Sequence, residues 1–140
     1  MESLETLFLS SCISLVRFPE VSPSMSKLSN IYLDDCTRIK ELPSSIKYLS
    51  GLRVLNLIGC EELKNLPREL GSMESLEELL LGSPKMRVIR SISCRGLTRL
   101  GSLRKLDLSY RQIKAVDFPQ NFRAFSSLEE LHLSGNSQLT

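Results

Sequence analysis

The stretch Leu52–Leu76, LRVLNLIGCEELKNLPRELGSMESL, repeats in other residues what the chain has just said at Leu28–Leu52, LSNIYLDDCTRIKELPSSIKYLSGL. Aligned on Leu52, the whole chain divides into units that start at Leu4, Leu28, Leu52, Leu76, Leu103 and Leu128, with steps of 24, 24, 24, 27 and 25 residues. Each start opens the frame L-x-x-L-x-L: Leu4/Leu7/Leu9, Leu28/Ile31/Leu33, Leu52/Leu55/Leu57, Leu76/Leu79/Leu81, Leu103/Leu106/Leu108 and Leu128/Leu131/Leu133. Consecutive matches at a period of 20 to 50 residues mark a stacked-repeat architecture.

Within a unit, L-x-L has the period of two that belongs to a strand, with the leucines turned inward and the x positions outward. Three residues past the last frame leucine come Cys12, Cys36, Cys60, Pro84, Arg111 and Asn136. An apolar pair and a proline follow in the first three units: Leu15/Phe18/Pro19, Ile39/Leu42/Pro43 and Leu63/Leu66/Pro67. The proline removes a ladder donor, and the spacing of three in Ile46/Leu49 and Leu70/Met73 suits a helical or 3₁₀ turn, so the return segment is expected not to be a strand. The first unit departs at Ser22, although Met25 fits. Leu97/Leu100 fall three positions late and Phe118-Pro119, Phe122 and Phe125 one late, which places the insertions of the fourth and fifth units between strand and return. One unit cannot bury its leucines. Stacked coils can, with parallel strands about 4.8 Å apart lining the concave side of a continuous core.

The chain has 140 residues, enough for one domain, and a net charge of +2, which gives no global pull toward nucleic acid or membrane. No run approaches the roughly 18 to 20 apolar residues that span a bilayer. The apolar opening MESLETLFLSSCISLVRFPE is read as the first repeat and not as a secretion leader, because its flank carries Glu2 and Glu5 and no small-residue cleavage site follows. A cytoplasmic or nucleo-cytoplasmic chain with four reduced cysteines is the expectation.

The form L-x-x-L-x-L-x-x-C-x-x-L-x-x-L-P of Leu4–Pro19, Leu28–Pro43 and Leu52–Pro67 resembles the leucine-rich repeats of plant intracellular disease-resistance receptors of the nucleotide-binding class, and most of all the subgroup with an N-terminal TIR domain. Extracellular plant repeats typically write G-x-I-P where this chain has ELP, NLP and RFP, and scaffold proteins with similar repeats usually carry Asn in place of Cys12, Cys36 and Cys60. The resemblance covers essentially the whole chain; the fourth repeat, with Pro84, fits least well. It implies an α/β right-handed solenoid, a horseshoe arc with a parallel β-sheet on the concave face and short helical or 3₁₀ turns and loops on the convex face. It also implies a protein-protein recognition module of an innate immune receptor. Its partners would be a pathogen effector, a host protein, or the receptor's own nucleotide-binding domain, held inactive by contact. A stand-alone scaffold joining two proteins is the alternative. The sequence contains no G-x-x-x-x-G-K-[ST] loop, no enzymatic role is expected, and no cofactor is implied. Both ends are expected to be cut, leaving a marginally stable piece of a longer receptor.

The cysteines Cys12, Cys36 and Cys60 recur once per coil, so they stack instead of converging as zinc ligands must; they are expected to be buried thiols that bond weakly to backbone, as Asn136 would do more strongly. Cys94 is a fourth free thiol. His132, the only histidine, has serines and Asp107 on neighbouring strands, but its outward position suits display better than general-base catalysis. The outward positions therefore carry the functional signal. Phe8, Tyr32, Leu80 and His132, with Val54, Ile58 and Tyr110, form the candidate protein-binding face, and Asp34 and Asp35 supply polar selectivity. Stacking of Phe8 on Tyr32 merely to stabilise the sheet is the competing reading. From Lys85 to Lys105 the chain carries seven basic residues, no acid and no aromatic. Lys85, Arg87, Arg90, Arg95 and Arg99 are the candidate docking patch for an acidic protein face, against a simply solvated surface; nucleic acid would want interleaved aromatics.

Overall fold

The computed structural model describes residues 2–83, 92–94, 97, 99–118 and 125–139. Each repeat contributes one three-residue strand: β1 (Thr6–Phe8), β2 (Asn30–Tyr32), β3 (Val54–Asn56), β4 (Glu78–Leu80), β5 (Lys105–Asp107) and β6 (Glu130–His132). They form one parallel sheet in the order β1-β2-β3-β4-β5-β6. Parallel neighbours in sequence order require a crossover after every strand, and the return segments supply it. Register follows the repeat frame: Leu7, Ile31, Leu55, Leu79, Leu106 and Leu131 are successive partners, so one inward residue per coil meets its equivalent above and below.

The frame leucines from Leu28 to Leu108 are buried, whereas Leu4, Leu7, Leu9, Leu128, Leu131 and Leu133 are partly buried against the same core. Behind them, 3₁₀ turns run over Pro23–Met25, Ser44–Tyr48, Arg68–Ser72 and Ala115–Asp117. Pro43 and Pro67 sit at the N-cap of their turns in extended conformation, where a missing N–H costs nothing. In the first repeat Ser22 takes that place, accepting from the Ser24 amide, and Pro23 opens the turn. The buried Ser45 hydroxyl accepts the Val21 amide at 2.9 Å and ties this irregular return to the next coil. Ile46, Leu49, Leu70, Leu97 and Leu100 are buried, and so is Phe125, as the late spacing predicts; Pro84, Pro119 and Phe122 lie outside the described residues.

The return segments form no strand among the described residues, as their prolines and spacing of three lead one to expect. Parallel bridges form at Arg17↔Glu41 and Asn65↔Ser93, each one residue long. Arg17, Glu41 and Asn65 stand two residues before Pro19, Pro43 and Pro67, so the pairing begins and the proline then ends it.

After five of the six strands, all but β4, the backbone turns through a left-handed residue. Ser11, Asp35 and Tyr110 take it at φ 61°, 58° and 57°, and Gly59 and Gly135 at 78° and 75°. A β-carbon on Gly59 would overlap the Asp35 carboxylate, and one on Gly135 would overlap the Tyr110 ring. Glycine is needed there twice over, for its conformation and for the neighbour that covers it. No helix among the described residues is long and apolar enough to cross a membrane.

Candidate functional site

The three-residue strands leave two outward residues each, and the turns extend the same face. Strand register lines up Phe8, Tyr32, Asn56, Leu80, Asp107 and His132 in one column and Thr6, Asn30, Val54, Glu78, Lys105 and Glu130 in the other. The Phe8 and Tyr32 rings stack with centroids 4.9 Å apart and planes within 8°, and Phe8 remains 71% exposed. Adjacent rungs about 4.8 Å apart impose that spacing. Val54, Ile58 and Leu80 continue the apolar surface as half-buried residues.

Other outward residues serve the turns. The Asn56 side-chain oxygen accepts the Ile58 amide at 3.0 Å, and the equivalent Asp107 accepts the Ser109 amide at 2.9 Å and the Ser109 hydroxyl at 2.5 Å. Asp34 accepts from the Ser10 hydroxyl at 2.7 Å. Asp35 and Tyr110 stand in left-handed turn positions three residues past the ends of β2 and β5.

From the third coil onward the face carries ion pairs between neighbouring coils: Arg53 with Glu77 at 3.0 Å, Arg104 with Glu129 at 3.0 Å and Lys105 with Glu130 at 3.4 Å. His132 Nε2 lies 3.3 Å from Glu130, and this hydrogen bond together with Lys105 holds the Glu130 carboxyl below its ordinary range. These are exposed pairs, useful for register and weak in energy. Asp107 is occupied by Ser109 and His132 by Glu130, so the groups a hydrolytic triad would need are paired off separately.

Behind the sheet, the buried Cys36 and Cys60 thiols donate to the carbonyls of Leu9 at 3.0 Å and Leu33 at 3.2 Å, each one coil back. Asn136 repeats the bond to Leu108 at 2.9 Å, adds Leu133, and accepts the Ile113 amide at 2.9 Å. A thiol makes one weak bond where the amide makes several. Burial pushes the Cys36 thiol up and the Cys60 thiol up to about 12. The described residues contain no group of three or more His, Cys, Asp or Glu that could hold a metal ion.

Two consequences can be checked. At about pH 8 a disulfide thiol reagent will label half-buried Cys12 in the folded protein, whereas Cys36, Cys60 and Cys94 will react only as fast as the chain opens. Rapid stoichiometric labelling of all four would contradict the buried ladder. As pH rises past 9.0, the unfolded Cys60 thiol loses its proton while the folded one keeps it to about 12, so stability falls across that window.

Residues 1–138 match the leucine-rich repeats of the family described as disease resistance protein RPS4B-like. The chain belongs to that family. No curated protein matches it in sequence. Leucine-rich repeats of this kind are protein-interaction modules and not catalysts as a class, which agrees with a face built of display positions and turn supports.

Among the described residues of this leucine-rich-repeat array, the largest fully buried side chain stands at the repeat's cysteine position, where the hydrophobic pattern gave no reason to single it out. Arg111 is 1% exposed. Its guanidinium reaches past the fourth repeat into the third, donating to the Cys60 carbonyl at 3.1 Å and the Leu63 carbonyl at 2.5 Å. Its Nε has no partner among the described residues, and burial lowers its pKa. The available signal was a cation at an inward position, one repeat after Pro84, which can donate nothing there. Of the basic candidates, Arg99 is exposed, and Lys85, Arg87, Arg90 and Arg95 lie outside the described residues.

Proposed function

We propose that these leucine-rich repeats are the recognition surface of a plant innate immune receptor of the TIR-bearing subgroup, acting in the cytoplasm or between cytoplasm and nucleus. The outward side of β1 to β4 meets a protein: an effector, a host protein, or the nucleotide-binding domain of the same receptor. The exposed Phe8–Tyr32 stack carries this reading. Stacking covers one pair of ring faces only, and large aromatic surface left in water on a rigid sheet is the usual core of an interface.

The test is Tyr32→Ala, with capture of the receptor's nucleotide-binding domain as one readout and thermal unfolding as the other. Loss of a central aromatic is expected to cost about 2 kcal/mol of binding, roughly thirtyfold in Kd, while unfolding shifts by less than about 1 kcal/mol. If the variant binds normally but unfolds early, the rings serve the sheet and not a partner.

A further inference from the structure

The charge on the sheet face says what kind of partner it meets. All three cations there are already paired, Arg53 with Glu77, Arg104 with Glu129 and Lys105 with Glu130. Asp34, Glu78 and Asp107 on the same face make no ion pair within 4 Å among the described residues, although Arg104 acts on Glu78 at longer range. The face is therefore negative in a chain whose formal net charge is +2.

Two of these carboxylates stand beside apolar surface. Asp34 follows Tyr32 by two residues and accepts at 2.7 Å from the hydroxyl of Ser10, which follows Phe8 by two, so this bond continues the two rungs that carry the Phe8–Tyr32 stack. Glu78 precedes Leu80 by two on β4; its register partners are Val54 on one side and, on the other, Lys105, whose ion pair is made with Glu130. Residues two apart on one side of a strand are about 7 Å apart. A side chain that meets both requirements at once has an apolar or planar body and a cationic end, which describes arginine first and lysine second.

We infer that the sheet face from β1 to β4 docks a segment of a separate protein that presents arginine or lysine side chains. One cation lies against Asp34 beside the aromatic stack, and a second against Glu78 beside Val54 and Leu80. This rests on the sheet face being the recognition surface; what it adds is the partner's charge. Phosphate-rich or acidic segments meet like charge here and are disfavoured.

The probes are two synthetic peptides, one alternating arginine and leucine, the other with glutamate for every arginine, titrated into the 140-residue chain at low and at high salt. The arginine peptide is expected to bind, and to bind about tenfold more weakly to the double variant Asp34→Asn, Glu78→Gln. Rising salt and Tyr32→Ala should each weaken it as well. These substitutions keep side-chain size. Should the pair fail to fold, Glu78→Gln alone removes no hydrogen bond and decides the matter. Binding of the glutamate peptide as tight as that of the arginine peptide, still sensitive to Tyr32→Ala, would leave the sheet face standing and overturn the charge assignment. Arginine-peptide binding indifferent to Tyr32, Asp34 and Glu78 would overturn the sheet-face reading itself, and absence of saturable binding to the folded chain would overturn the inference. Self-association of the chain alone, abolished by Glu78→Gln, would make a second copy the occupant and overturn it as well.

Discussion

Replacing Arg111 by alanine will destabilise the protein by about 3 to 5 kcal/mol, read as a lower urea midpoint at unchanged slope. Two effects add. The carbonyls of Cys60 and Leu63 lose the donors that satisfy them, and the space occupied by a fully buried side chain is left empty. Arg111→Lys keeps the charge but loses the fork that serves two carbonyls at once, so it will recover little. Arg111→Met is the informative comparison, because it restores much of the volume without a cation to desolvate. It is expected to fall clearly above alanine, with the remaining deficit measuring the two unsatisfied carbonyls. An alanine variant within about 1 kcal/mol of wild type would mean that the guanidinium does not clamp the third repeat to the fifth.

Leu55→Ala will cost about 2 to 5 kcal/mol. Leu55 is fully buried on β3 with Ile31 and Leu79 as register partners, so the coils on both sides must close the cavity or tolerate it. Leu7→Ala removes the same atoms from the equivalent position of β1, where the leucine is only partly buried, and should cost distinctly less. In a stacked array stability is a sum of coils and their contacts, and the difference between the two variants reads the contact contribution directly. Equal losses at both positions, measured by the same denaturant titration, would contradict that local accounting.

How much could be read beforehand divides along physical lines. Strands, order and register were readable because inward leucines recur at a fixed step, and packing admits a single phase for them. The Cys36 and Cys60 bonds to the previous coil follow from that same phase. The ion pairs Arg53–Glu77 and Arg104–Glu129 needed the register first, since their partners are a full coil apart in sequence. Asp35 and Tyr110 were assigned to the face by spacing, but the left-handed backbone that carries them into the turn leaves no mark on a hydrophobic pattern. Arg111 was hidden for a different reason. A long flexible side chain reports where its first atoms start and not the carbonyls its end will reach, and here it passes an entire repeat. Of the candidate face, the Phe8–Tyr32 stack was anticipated as a possibility, and its geometry had to be observed.

The left-handed turns bear on how such a protein can change over generations. Gly59 follows Asp35 and Gly135 follows Tyr110, each glycine lying under the larger residue of the preceding coil. Ser11, a small residue, is the one followed by Asp35. Neighbouring repeats are thus mated at this position and are not freely interchangeable units. A duplication that placed a second Tyr110 turn immediately after the first would set a β-carbon into an aromatic ring, whereas one that ended on a glycine turn would fit. Recombination within this array is constrained by the join it leaves at that turn as well as by the length it adds.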